Sequence, residues 1–306
     1  MPALNTVYPP EIWARESLML TKQSMVAANL VHTDFKNEVA QHGDVVTTRK
    51  RDKFSIGTLA NTITSSMNVV AATATNVSVT LDTHNVVAFA ITGRDQDTSI
   101  KNLVEEFMEP AIIPLAEAVD NDLLDKANGG LCSTAHVVTA NATLDLSDFA
   151  GVRQQLRTNQ VPLTSPGGTP RVNLVLGVEH EASALVIPEL ITANQSGVST
   201  PATATGYINT IYGMGVYADQ GVPTGTTAGH GQSVAFHRDA MTLITRPLEQ
   251  VGSDFGIRSS VVSADGVSLR VMQSFQHVNA RWLVSLDMLY GKKMLNGDLA
   301  VLLSDG

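Results

Sequence analysis

Residues 97–128 read DTSIKNLVEEFMEPAIIPLAEAVDNDLLDKAN. Ile100, Leu103, Val104, Phe107, Ala111, Leu115, Val119 and Leu123 recur at helical spacing, which predicts one long helix with an apolar stripe. Asp97 or Thr98 is placed to cap its first free N–H groups, and Asn128-Gly129 supplies a left-handed stop. At about 1.5 Å per residue, a helix of this length spans roughly 46 Å. That is long for a domain of this size, so part of it is expected to lie on a broad flat surface. Pro110 and Pro114 each remove a backbone donor, which predicts a bend.

Upstream of this helix lies a long polar hairpin over residues 44–92. Gly43-Asp44 is a turn, and residues 45–56, VVTTRKRDKFSI, are extended and polar. Residues 77–82 alternate with period two, and residues 86–92, VVAFAIT, continue them in more apolar form. Between the arms, 57–76 is a tip rich in Gly, Ala, Thr, Asn and Ser. A two-stranded ribbon is marginal by itself in water. This one carries Arg49, Lys50, Arg51 and Lys53 on one arm, so it is expected to lean on something outside itself.

Residues 1–10 read as irregular, and Pro10 suits the first position of a helix running from Glu11 to about Leu30. Its anchors, Ile12, Leu20 and Val31, make only a weak stripe. The segment 1–35 therefore reads as an arm packing on another element or another subunit. Beyond Gly129-Gly130 the pattern is mixed: helix 146–159, strand 171–177, helix 179–186 ahead of Pro188, a strand 208–218 containing Gly213 and Gly215, and a strand with a turn over 234–246. Strands dominate from 267 to 303.

The 306 residues are 43% hydrophobic, enough for a large core, and only 16% charged. Low charge suits a surface buried against identical copies, and equally an ordinary Ala/Val/Thr-rich globule. The net charge of −9 argues against tight nucleic-acid binding, which depends on Lys and Arg neutralising phosphates. With 5% aromatics there is no evident base-stacking platform. Cys132 is the single cysteine and cannot form an internal disulfide. No signal-peptide pattern opens the chain, and its apolar runs are far shorter than the roughly 20 residues a bilayer-spanning helix needs.

Motifs for chemistry fail on context. GMGVYA at 213–218 lacks the helix that a dinucleotide turn must open. Gly291-Lys292 lacks the upstream glycine of a phosphate loop, and no Gly-x-Ser-x-Gly elbow occurs. His180 lies between Glu179 and Glu181, but adjacent residues do not share a helix face, so it reads as structural. No catalytic, cofactor-binding or metal-binding set emerges, and the chain reads as a non-enzyme. Glu105, Glu106, Glu109, Glu117, Asp120, Asp122 and Asp125 form an acidic array along the long helix. They read as a solvated face. The alternative is that some, with Glu105, Glu109 and Glu117 foremost, pair with Arg49, Lys50, Arg51 and Lys53 of a neighbouring copy. Exposed pairs contribute only about 0–1 kcal/mol each, so their value lies in register and specificity.

The order of these parts resembles the major capsid proteins of tailed phages, the α+β Hong Kong 97-like fold, nearest to the coat proteins of short-tailed Salmonella phages. The resemblance is carried by Glu38–Val46 leading into the hairpin, Asp97–Asn128 as spine helix, and Ile211–Tyr217 with Val222-Pro223 as a central strand. Ala235–Ala240 with Arg246-Pro247 and the closing Leu286–Gly291 complete it. The resemblance implies an N-terminal arm (1–35), an extended hairpin loop (44–92), a peripheral domain with the spine helix (36–43, 93–129 and 266–306) and an axial domain (130–265).

It further implies an icosahedral shell of pentamers and hexamers in the virion, assembled in a host cytoplasm. DNA would be enclosed without specific binding and no membrane would be involved. Scaffolding, cement and portal proteins are possible partners. The alternatives are an encapsulin-like cellular compartment shell and a pocket-bearing hydrolase.

Overall fold

The computed structural model describes residues 10–33, 45–51, 74–92, 103–124, 135–137, 144–164, 169–191, 208–222, 231–251, 257–264 and 266–304. The chain begins with helix α1 (Pro10–Ser24), which has Pro10 at its first position. The continuous helix expected to Leu30 is interrupted. Thr21 accepts the N–H of Met25, and a four-residue helix, α2 (Ala27–Leu30), follows. The interruption has an acceptor for its cause: the amides of Val26 and Ala28 donate to the Asp120 carboxylate at 2.6 and 2.9 Å instead of to carbonyls one turn back.

Within the chain, this segment packs on other elements. Trp13, Ala14 and Leu18 are buried in the chain's own core, while Ile12, expected as an anchor, is exposed. α1 packs on the long helix and on two strands, Ile257–Ala264 and Val267–Gln276.

The long helix α3 spans Leu103–Leu124, about 33 Å. The flanks expected to extend it to 97 and 128 lie outside the described residues. It buries Met108, Ala111, Ile112, Leu115, Ala116, Val119, Leu123 and Leu124. Each large side chain among them contributes about 1.5–3 kcal/mol by leaving water. Far from depending on neighbours for its burial, α3 occupies the middle of the largest core. Its buried stripe is wider than expected because α1 and α2 pack on it together with the strands Thr83–Thr92 and Arg281–Met294. Phe107, predicted inside, is 47% exposed and lies against Phe89, ring to ring at 6.2 Å. Pro110 and Pro114 both stay within the helix on its exposed side, where the carbonyls they leave unpaired can be solvated.

A five-stranded antiparallel sheet underlies these helices. Four strands run in the order β10 (Ile257–Ala264), β11 (Val267–Gln276), β12 (Arg281–Met294), β3 (Thr83–Thr92). The fifth, β9 (Met241–Arg246), pairs with the far end of β12. Leu289 and Tyr290 are paired on both sides, to β3 and to β9, which locks that end of the strand. β3 was expected inside the hairpin, but all ten of its residues pair with β12. The ribbon proper is β1 (Val45–Arg51) with β2 (Ala74–Thr80), in register from Val45↔Thr80 to Arg51↔Ala74. Leu81 and Asp82 turn the chain from ribbon to sheet.

A second, mixed sheet has six strands in the order β4 (Ala135–Val137), β13 (Ala300–Ser304), β8 (Gln232–His237), β5 (Val172–Leu176), β7 (Met214–Ala218), β6 (Thr210–Ile211). It is covered on both faces. Val234, Phe236, Ala300 and Leu302 face the α3 core, while Ala235, Val301 and Leu303 face a second core built on helix α4 (Leu146–Thr158) through Phe149, Val152 and Leu156. Such two-sided burial explains why Ala300–Leu303 in β13 is continuously apolar. Asp145 and Asp148 close a capping box at the start of α4.

The short helices α5 (Val178–Ala184) and α6 (Pro188–Ile191) follow β5. The single strand expected over 208–218 is a tight hairpin instead, because Tyr212 and Gly213 both take positive φ, 47° and 77°, as a two-residue turn of primed type requires.

β9 and β10, within residues 130–265, belong to the sheet under α3, and β13, within residues 266–306, belongs to the other sheet.

Candidate assembly surface

The ribbon is the element that stands apart from both sheets, so its root decides where it points. Val46, Val79 and Leu81 bury against Ile244 of β9, a small core separate from the two large ones. Thr80 lies directly on Gly291 of β12. A Cβ at Gly291 would overlap the Thr80 carbonyl oxygen, and would lie 2.9 Å from Thr80 C and 3.2 Å from Leu81 Cα. Glycine is therefore required there by close backbone approach, not by φ. Beyond the root, Thr47, Asn76, Ser78 and Thr80 are exposed.

Polar side chains tie this root to the helix layer. The Tyr290 hydroxyl, on a fully buried residue, donates to Asp122 Oδ2 on α3 at 2.7 Å and accepts from Asn85 Nδ2 on β3 at 2.9 Å. Lys292 Nζ reaches the other Asp122 oxygen at 2.8 Å. Burial, and then the Asp122 acceptor, push the Tyr290 phenol far above its ordinary value, so it stays a donor at any working pH. One helix and two strands are thus joined through one phenol.

A second network lies farther along β12. Arg270 and Asp287 are directly opposite one another on β11 and β12. The guanidinium donates through Nε at 3.0 Å and Nη2 at 2.5 Å to the two carboxylate oxygens, and through Nη1 to the Glu249 carbonyl at 2.9 Å. His84 Nε2 of β3 meets the same carboxylate at 3.1 Å. This is a bidentate pair with a buried carboxylate, the geometry in which an arginine cannot be exchanged for lysine.

No family model and no curated protein matches the chain. Solved structures do. A chain from Mycobacterium phage Che8 superposes with a TM-score of 0.66 at 17% identity, over 91% of this chain and 90% of that one. The capsid of cyanophage P-SCSP1u gives 0.60 at 12% identity, over 87% and 84%. The capsid of a native GTA particle gives 0.59 at 11% identity, over 92% of both chains. The fold is the Hong Kong 97-like capsid fold.

Within this Hong Kong 97-like chain, the residues predicted for contacts between copies are only partly described. Arg49, Lys50 and Arg51 lie on β1 opposite Asn76, Thr75 and Ala74. Lys53 lies outside the described residues. Glu109 and Glu117 are exposed on α3, about two turns apart, and Glu105 is on the same helix nearer its start.

Two members of the acidic array were misread as solvated. Asp120 is buried and its oxygens accept the N–H groups of Val26 and Ala28, and Asp122 belongs to the Tyr290 network. A signal for Asp120 existed: it falls four residues after Ala116 and four before Leu124, on the buried stripe. His180 is structural, as read. It is buried, its Nδ1 lies 2.7 Å from Ser233 Oγ, and its ring fills the space where Gly231 would otherwise carry a Cβ. Gly213 and Gly215 sit in the β6–β7 hairpin, with no helix opening after them.

Proposed function

We propose that this chain is the major capsid protein of a tailed double-stranded DNA phage, a shell-forming protein without a catalytic cycle. The observation that carries the reading is the rooted ribbon on a capsid fold. A two-stranded sheet is fixed at its base by Val46, Val79, Leu81 and Gly291, yet has no third strand among the described residues. A ribbon of this kind is marginal in water, so a surface supplied by another copy would complete it.

On this reading β1–β2 is the extended loop. The five-stranded sheet with α1, α2 and α3 is the peripheral domain, and the six-stranded sheet with α4 and α5 is the axial domain. Arg49, Lys50, Arg51 and Lys53 of one copy meet Glu105, Glu109 and Glu117 of another, setting register. Closed shells follow from heterologous contacts whose rotations close into pentamers and hexamers. The net charge of −9 lets DNA be enclosed without adhering to the wall. The shell belongs to the virion and is assembled in the host cytoplasm, with scaffolding, cement and portal proteins as candidate partners. The sequence patterns favour kinship with the coat proteins of short-tailed Salmonella phages.

Negative-stain images of the purified, expressed chain test this. Closed particles are expected, with dense DNA or a tail vertex when the particles are taken from phage. Particles filled with protein cargo would instead mark a cellular compartment shell. A solitary molecule with small-molecule turnover would mark an enzyme.

A further inference from the structure

Helices α1 and α3 pack on each other and leave a cavity of about 270 Å³ between them. Trp13, Glu16, Ser17 and Leu20 line it from α1, and Met108 and Glu109 line it from α3. The four α1 residues fall at i, i+3, i+4 and i+7, one face of the helix. Ser17 is 1% exposed, and its Oγ is buried without a hydrogen-bond partner among the described residues. Glu16 and Glu109 are exposed, and neither has an ion-pair partner among the described residues. Ile12 and Ile113, each one helical turn from one of these glutamates, are exposed as well.

A buried hydroxyl without a partner is unfavourable, and native structures leave few of them. Two carboxylates at one cavity call for a cation, and the apolar walls of Trp13, Leu20 and Met108 call for a hydrocarbon stem behind it. The volume falls below the roughly 300–1,000 Å³ of a site for a drug-sized ligand, so it suits a single side chain. Arginine meets all of these demands. It has a methylene stem, a permanent charge and a fork of five N–H donors that can serve two carboxylates and a hydroxyl together, whereas lysine offers three donors on a point charge.

We propose that the α1–α3 cavity is a socket for one arginine side chain, Arg49 or Arg51, from the β1–β2 ribbon of a second copy. Charge complementarity names the occupant. The ribbon carries Arg49, Lys50 and Arg51 in succession, in a chain whose net charge is −9.

An arginine against one exposed glutamate contributes little. In the socket its stem is shielded from water by Trp13, Leu20 and Met108, and its guanidinium meets Glu16 and Glu109 together, which turns a weak surface pair into an anchor. Ile12 and Ile113 offer apolar ground to the strand around that anchor. The choice of occupant rests on the shell reading above, whereas the socket is a feature of the single subunit, so the two can fail separately.

Trp13 itself reports on the socket. In the full chain carrying Trp282→Phe it is the one tryptophan left, and its emission is followed while a peptide of residues 45–56 is added. The peptide is expected to shift that emission saturably. The same peptide with Arg49→Gln and Arg51→Gln is expected to bind roughly tenfold more weakly, as is the arginine peptide to an E16Q/E109Q chain. Ser17→Ala is expected to weaken binding while melting no lower than its parent. No saturable shift, equal binding of the two peptides, or binding untouched by E16Q/E109Q would overturn the socket. In assembly, E16R/E109R should stop particle formation and the further changes R49E/R51E should restore it. Particles at wild-type yield from E16R/E109R would overturn the socket and leave the shell reading standing. Peptide binding as expected from a wild-type chain that forms no particles would support the socket and remove the shell reading alone.

Discussion

Gly291→Ala separates the orientation of the ribbon from the stability of the subunit. The added methyl would overlap the Thr80 carbonyl oxygen, and the two next atoms, Thr80 C and Leu81 Cα at 2.9 and 3.2 Å, are backbone as well. No rotamer change relieves such a clash. β12 is held by β3 on one side and β9 on the other around Tyr290, so the ribbon is the part that yields. When it yields, Val46, Val79 and Leu81 part from Ile244. Overpacking of this sort costs about 1–3 kcal/mol, which lowers subunit melting by roughly 1.5–5 °C in a chain of this size. The subunit remains folded, because both large cores are untouched. Shell formation, followed by sedimentation and electron microscopy at a temperature well below the melt, should be lost or strongly reduced. Shells at wild-type yield would refute the argument that the root sets a productive ribbon direction. An unchanged melting curve would refute the close approach itself.

Other perturbations follow from the same geometry. Asp287→Ala leaves the Arg270 guanidinium without its counter-charge between β11 and β12, and urea unfolding should report a loss of about 3–5 kcal/mol. Tyr290→Phe removes the donor to Asp122 and the acceptor for Asn85, and the same assay should show about 1–3 kcal/mol. Reversal of Arg49, Lys50 and Arg51 to Glu should leave subunit unfolding within about 0.5 kcal/mol of wild type while reducing particle yield, which sedimentation reads directly.

Much of the architecture was legible because local pattern and tertiary context agreed. The stripe through Ala111, Leu115, Val119 and Leu123 gave α3, Pro10 gave the start of α1, and the alternation of residues 77–82 gave the second arm of the ribbon. The misreadings arose where a distant group decided the outcome. Helix 11–30 broke because Asp120, far away in sequence, captured two of its amides. The hairpin ended at Thr80 instead of residue 92 because β12, with 14 residues, offered β3 a partner that no local pattern could announce. The turn at Tyr212-Gly213 was hidden because a tyrosine, not the usual Asn or Gly, takes the first positive φ. At the candidate surface, the charges of Arg49, Lys50, Arg51, Glu109 and Glu117 could be read from sequence. The polar network beside the ribbon root could not, since Tyr290, Asn85 and Asp122 are joined only by folding.

A cryo-EM reconstruction of particles assembled from the purified chain bears most directly on the shell. The proposal requires a closed lattice of pentamers and hexamers in which each β1–β2 ribbon runs across an adjacent copy. A particle-free sample of stable single subunits, each with its ribbon folded onto its own sheets, would contradict it.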